Sequence, residues 1–191
     1  MKETETFYPK NRGEWREWLQ QNHQIKPSVW LIYYKKKSDK PTILYSEAVE
    51  EALCFGWIDS KAKSVDDERT MQYFTKRKPD SIWSMLNKSR IQNLIEEGRM
   101  TQAGLEVVER AKANGSWTIL DDVEALMLPP DLEMAFLDNL QAMDYFLGWS
   151  KSVKKSILLW LKLAKREETR QKRIAELVEL AGQGQKPKQF S

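Results

Sequence analysis

The amino-acid sequence predicts an α+β fold: a small antiparallel sheet packed with helices, followed by a mostly α-helical C-terminal half. Three observations carry that prediction. Between Ala48 and Asn87 the apolar period passes from helical to two and back again, which marks a helix, a hairpin and a second helix. Ser28 to Tyr34 is a run of β-branched and aromatic residues that supplies a further strand. Beyond Leu128-Pro129-Pro130 every apolar spacing is helical. The expected division is an α+β unit over 1–127, a helical region over 128–182 and a disordered tail over 183–191.

Each element has its own warrant. Asn11 is placed to cap a first helix, with Glu14 three positions on. Trp15, Trp18 and Leu19 then form one apolar stripe, and the helix fades near His23. Pro27 resets the chain before the Ser28–Tyr34 strand, which reads as central because it is apolar on both faces. Ser46 is expected to cap the next helix. Its Glu47, Glu50 and Glu51 suit a positive N-terminal end, its Val49, Ala52 and Leu53 face inward, and Gly56 closes it.

From Trp57 the alternation begins, with Ile58, Ser60, Ala62 and Ser64 set against Asp59, Lys61 and Lys63. Val65-Asp66-Asp67-Glu68 makes the turn and Arg69 to Thr75 returns. Pro79 closes a basic loop. Asp80 or Ser81 is expected to cap a helix carrying Trp83, Leu86, Ile91 and Leu94, and Thr101 starts another that stops before Gly115. Further on, Asp131 caps a helix from Leu132 to Asn139 expected to turn Met134, Leu137 and Phe136 inward. A short helix or turn covers Ala142 to Leu147. Ser150 or Ser152 opens a long helix with Val153, Ile157, Trp160 and Leu161 on one face, and that spacing resumes at Ile174 and Leu177.

Composition removes several function classes. His23 is the sole histidine and Cys54 the sole cysteine. A disulfide within the chain is thereby excluded, hydrolytic triads nearly so, and a transition-metal site lacks its usual ligands. No metal and no cofactor are expected. There is no glycine-rich phosphate loop. The opening residues hold no secretory h-region, and no apolar run of about 18 residues exists. The expectation is a soluble, cytoplasmic protein without membrane insertion. Net charge is only +3, yet cations gather after Lys151, as they do on surfaces that meet anions.

Two candidate sites follow. If the hairpin pairs as its alternation predicts, Trp57, Asp59, Lys61, Arg77, Trp83 and Asn87 share one neighbourhood. Aromatic faces, two cations and a helix start there suit an anionic ligand; the competing reading makes both tryptophans core. Lys76, Arg77 and Lys78 of the basic loop, with Lys165, Arg166, Arg170 and Arg173, are the second set, aimed at nucleic-acid phosphates. Glu167 and Glu168 interrupt that strip, which favours a docking role for Arg170 and Arg173 against acidic residues of the α+β unit. A third reading makes Asp59 the centre of a small-molecule enzyme. The partners expected are an anionic ligand or nucleic acid, or another protein.

Three blocks, Glu51–Ser60, Tyr73–Asn87 and Ala164–Ile174, together with Gly98–Gly104, resemble the YdeI/OmpD-associated family, also labelled bacteriocin-protection proteins. The N-terminal part is similar to the YjbR/CyaY-like superfamily. That resemblance implies a small α+β unit with an antiparallel sheet backed by helices. It also implies a link to envelope stress or antimicrobial-peptide resistance, through binding rather than a reaction. Some members of the superfamily have been proposed to bind DNA through paired hairpin wings. The resemblance carries over no catalytic residue.

Overall fold

The computed structural model describes residues 5–190. Residues 1–4 lie outside the described residues, as does Ser191, the last position of the expected tail. The fold is α+β, and the chain divides into two compact units, one ending at Thr118 and one beginning at Ile119.

The first unit contains β1 (Thr6–Phe7), α1 (Arg12–Asn22), β2 (Ser28–Tyr34), α2 (Tyr45–Cys54), β3 (Trp57–Ser64), β4 (Arg69–Lys76), α3 (Met85–Glu96) and α4 (Gln102–Ala113). Its sheet has the order β1-β2-β4-β3. The β2–β4 and β3–β4 pairs are antiparallel as expected, but β1 joins β2 in parallel, so the sheet is mixed rather than antiparallel throughout. A two-residue strand leaves no alternation to read, which is why the sequence is silent on it.

Strand and helix periodicities meet in one core. Val29, Leu31 and Phe74 point from the sheet into Trp15, Leu19, Ala48, Val49, Ala52 and Leu53, all essentially without exposure. The opposite side of β2 and β4 carries Trp30, Ile32, Met71 and Tyr73, which are only half-buried. An apolar strand had suggested cover on both faces; this sheet is covered on one.

Three starts differ from expectation, one of them in the second unit, where the helix expected to follow an Asp131 cap begins at Pro130 with Asp131 in its first turn. The second helix begins at Tyr45 rather than after Ser46, because the Glu47 carboxylate accepts the Leu44 amide at 3.1 Å. The third begins at Met85, capped by Ser84, whose hydroxyl accepts the Asn87 amide at 3.3 Å. Trp83 therefore precedes the helix instead of riding on it. Pro79 and the Lys78–Ser81 turn use up the residues that were to start it.

Glu51 is fully buried and binds three arginines. Arg12 Nε donates to it at 2.5 Å and Arg16 Nη1 at 2.7 Å, while Arg99 also donates to it. Expected as one more acid at a helix start, it is a buried hub joining α1, α2 and the chain after α3. Beside it the Cys54 backbone is pressed by Gly104, where an added Cβ would lie 2.3 Å from the Cys54 carbonyl oxygen. Only glycine admits that approach.

The second unit holds α5 (Asp121–Glu124), α6 (Pro130–Leu137), α7 (Leu140–Leu147), α8 (Lys151–Lys162) and α9 (Glu167–Gly182), then a 3-10 turn at Lys188–Phe190. Its core is Leu132, Phe136, Phe146, Ile157, Leu161, Ile174 and Leu177. In α6 the inward residues are Leu132 and Phe136, with Phe136 against Phe146 at 5.2 Å. Met134 and Leu137, expected inward, are exposed. In the expected tail, Phe190 meets the Trp160 ring edge-on at 5.6 Å, and Pro187 is buried.

Candidate functional site

The six residues expected to converge are only partly brought together. Trp57 and Trp83 are core, 1% and 2% exposed. Asp59 faces the covered side of the sheet and accepts from the Tyr45 hydroxyl at 2.7 Å and from Gln72 Nε2 at 2.9 Å. Lys61 stands on the open side, over Trp30 and Tyr73. Asn87 lies in the first turn of α3 and accepts from Arg90 at 3.2 Å. Arg77 and Trp83 meet, the guanidinium carbon 3.5 Å from the Trp83 ring centroid, and Asp59 lines the same cleft as Arg77. Lys61 is set apart by a β-bulge, where pairing passes from Asp59↔Phe74 to Ala62↔Gln72 and leaves two residues of β3 opposite Tyr73. Asp59 and Lys61, two positions apart, thus fall on opposite faces.

Arg77 is the most unusual of these side chains. Its amide donates to the Gly56 carbonyl at 2.9 Å, which extends the hairpin by one rung. Its Nη2 donates to the Ile82 carbonyl at 2.5 Å. The residue is only 6% exposed, and Nε and Nη1 are buried without hydrogen-bond partners. Burial pulls the guanidinium down to about 10, a shift that the nearby Asp59 charge opposes. Arg77 lines a cleft of 490 Å³ together with Asp59, Ser60, Lys76, Lys78, Asp80 and Ser81. Lys76 is tied to the Gln24 carbonyl at 2.6 Å, and Lys78 is exposed.

A second hollow, of 280 Å³, lies beside Tyr33, Tyr45 and Gln72. The buried Tyr33 hydroxyl has no partner there, and burial, then the Asp59 charge, push its phenol far above the ordinary value. Tyr45 is raised to about 12 by burial and by its bond to Asp59. Neither tyrosine stood out in the sequence, because each reads as one more aromatic of a strand or a helix start.

The basic strip is largely committed elsewhere. Arg170 grips Asp131 through Nε at 2.5 Å and Nη2 at 2.8 Å and donates to the Leu161 carbonyl at 3.0 Å. Arg173 donates to the Trp160 carbonyl and stacks 4.8 Å from that ring's centroid. Both dock α9 within the second unit, not against the α+β unit as expected. Lys165 and Arg166 are exposed, and Arg166 is the residue before α9. Among the described residues no group of three or more His, Cys, Asp or Glu is placed to hold a metal ion. No helix among them is long and apolar enough to cross a membrane.

Residues 7–107 match the family model described as Domain of unknown function (DUF8412), and residues 125–184 match the one described as Bacteriocin-protection, YdeI or OmpD-Associated. The chain matches no curated protein and no solved structure. The YdeI/OmpD-associated resemblance is thus supported over the second unit, through the block at Ala164–Ile174. The YjbR/CyaY-like similarity of the first unit has no support, its residues matching the other model.

Proposed function

We propose that this chain, which belongs to the family described as Domain of unknown function (DUF8412), binds a small phosphate- or carboxylate-bearing ligand in the cleft at Arg77. The supporting observation is the buried guanidinium with two N–H groups lacking acceptors. Asp59 lies close enough for its charge to act on Arg77 but accepts no hydrogen bond from it, and buried N–H groups left without acceptors are expensive. An anion in the cleft supplies the missing acceptors through charge-assisted hydrogen bonds. Lys78 adds charge at the rim, and the Ser81 hydroxyl adds a donor. Both nitrogens are buried, so an anion reaches them only as the cleft wall shifts. The match over residues 125–184 supports tying this binding to bacteriocin protection.

Thermal unfolding and calorimetry with inorganic phosphate, pyrophosphate and sulfate test the reading. Ligand at a hundredfold over Kd should stabilise the first unit by about 2.7 kcal/mol. Arg77→Met keeps a side chain on Trp83 but removes the charge. It should abolish the anion response while leaving stability equal or higher, since a buried charge with unmet N–H groups is gone. An unchanged response in Arg77→Met, or none in the wild type, would refute the proposal.

A further inference from the structure

We infer that the open face of the sheet is a platform for single-stranded nucleic acid, with bases on Trp30 and Tyr73 and phosphates on Lys61 and Lys63. The inference goes beyond the anion site at Arg77 and does not depend on it. The face exists because β2 and β4 alternate: Val29, Leu31 and Phe74 are buried on one side, and Trp30, Ile32, Met71 and Tyr73 are half-buried on the other. Trp30 and Tyr73 are direct cross-strand partners, their ring centroids 5.0 Å apart. Two adjacent, partly exposed rings on a sheet are a stacking surface that any base satisfies.

The bulge supplies the charge. Along a regular strand Lys61 and Lys63 would share the covered face with Trp57 and Asp59. The extra residue opposite Tyr73 inverts the alternation, so Ala62 and Ser64 turn toward the covered side and both lysines turn outward. Lys61 Nζ lies 5.6 Å from the Trp30 ring centroid and 5.3 Å from that of Tyr73; Lys63 Nζ is 4.6 Å from Trp30. Neither makes an ion pair among the described residues, so both ammonium groups are exposed over aromatic rings. They are spaced by two strand residues, about 6.6 Å, a separation suited to neighbouring phosphates of an extended strand. A stacking base displaces each ammonium from its ring toward the backbone that base belongs to. An acidic peptide would match the charges but would leave the rings without planar partners.

The test is fluorescence anisotropy with a labelled oligothymidylate of roughly 12 nucleotides, within the span one small domain covers. The duplex of the same length and inorganic polyphosphate serve as competitors. The single strand should bind, with both competitors at least about tenfold weaker. Two ion pairs to a single strand predict a log K against log salt slope near −1.4, twice about −0.7. The double variant Lys61→Ala/Lys63→Ala should flatten that slope. Tyr73→Leu should weaken binding about tenfold with the slope retained, and Arg77→Met should bind as the wild type does. Absence of binding at low salt, equal competition by polyphosphate or duplex, or an unaffected lysine variant would each overturn the inference. Should Tyr73→Leu fail to fold by circular dichroism, the lysine variant and the competitors decide.

Discussion

At the residue scale the first unit depends on Glu51 more than on any other charge. One carboxylate with no exposure pairs with three guanidiniums that are themselves only partly exposed. Removing its charge takes the buried partner from all three cations, so Glu51→Gln should cost about 3–5 kcal/mol in urea unfolding. Its neighbour Glu50 pairs with Arg12 at 2.9 Å near the surface. Glu50→Gln should therefore cost less than about 1 kcal/mol. The contrast between adjacent glutamates is the measurement. The sequence could not separate them: both looked like acids at a helix start, and two of the arginines that distinguish them, Arg16 and Arg99, lie 35 and 48 residues away.

At the element scale, α9 is held to α6 by Arg170 on Asp131. The guanidinium holds that carboxyl below its ordinary value, chiefly through its hydrogen bonds. The folded chain thus binds this proton more weakly than the unfolded chain does. The pair stabilises above about pH 4, the unfolded carboxyl range, and its contribution is lost as pH falls through the lower folded value. Asp131→Asn should unfold at lower temperature at neutral pH, and its difference from wild type should shrink below about pH 4. Scanning calorimetry across that range checks both statements. Helices with long apolar stripes, such as α1 and α4, were legible in the sequence. The eight-residue α6 was legible as a helix but not in its inner face, since Leu132, Met134, Phe136 and Leu137 leave that face undetermined until Phe146 selects one. Nor was the bulge legible, which no alternation announces and which turned Lys61 away from the expected site. The approach of Arg77 to Trp83 was legible as proximity, but not as a stack, because the helix start was placed too early.

At the scale of the whole molecule, two separate cores share one chain. The division falls after Thr118, because Trp117 closes on Trp83 at 4.9 Å and so belongs to the first core. Pro129-Pro130 reads in the sequence as a separator, yet it opens α6, where a proline's missing N–H costs nothing. A fragment of residues 1–118 should accordingly fold alone, with a cooperative urea transition and the anion response of the full chain. A fragment lacking cooperative unfolding would show that the first core is incomplete without residues beyond 118.

Cys54 gives the molecule a built-in clock. It is the only thiol, buried in the first core, and burial with the nearby Glu51 charge raises it to about 11. A disulfide reagent such as DTNB cannot reach it until the segment over α2 opens. Its colour-forming rate at low denaturant therefore counts openings of the first unit alone, and events confined to the second unit go unrecorded. Adding phosphate should slow that clock in the wild type and leave it running unchanged in Arg77→Met.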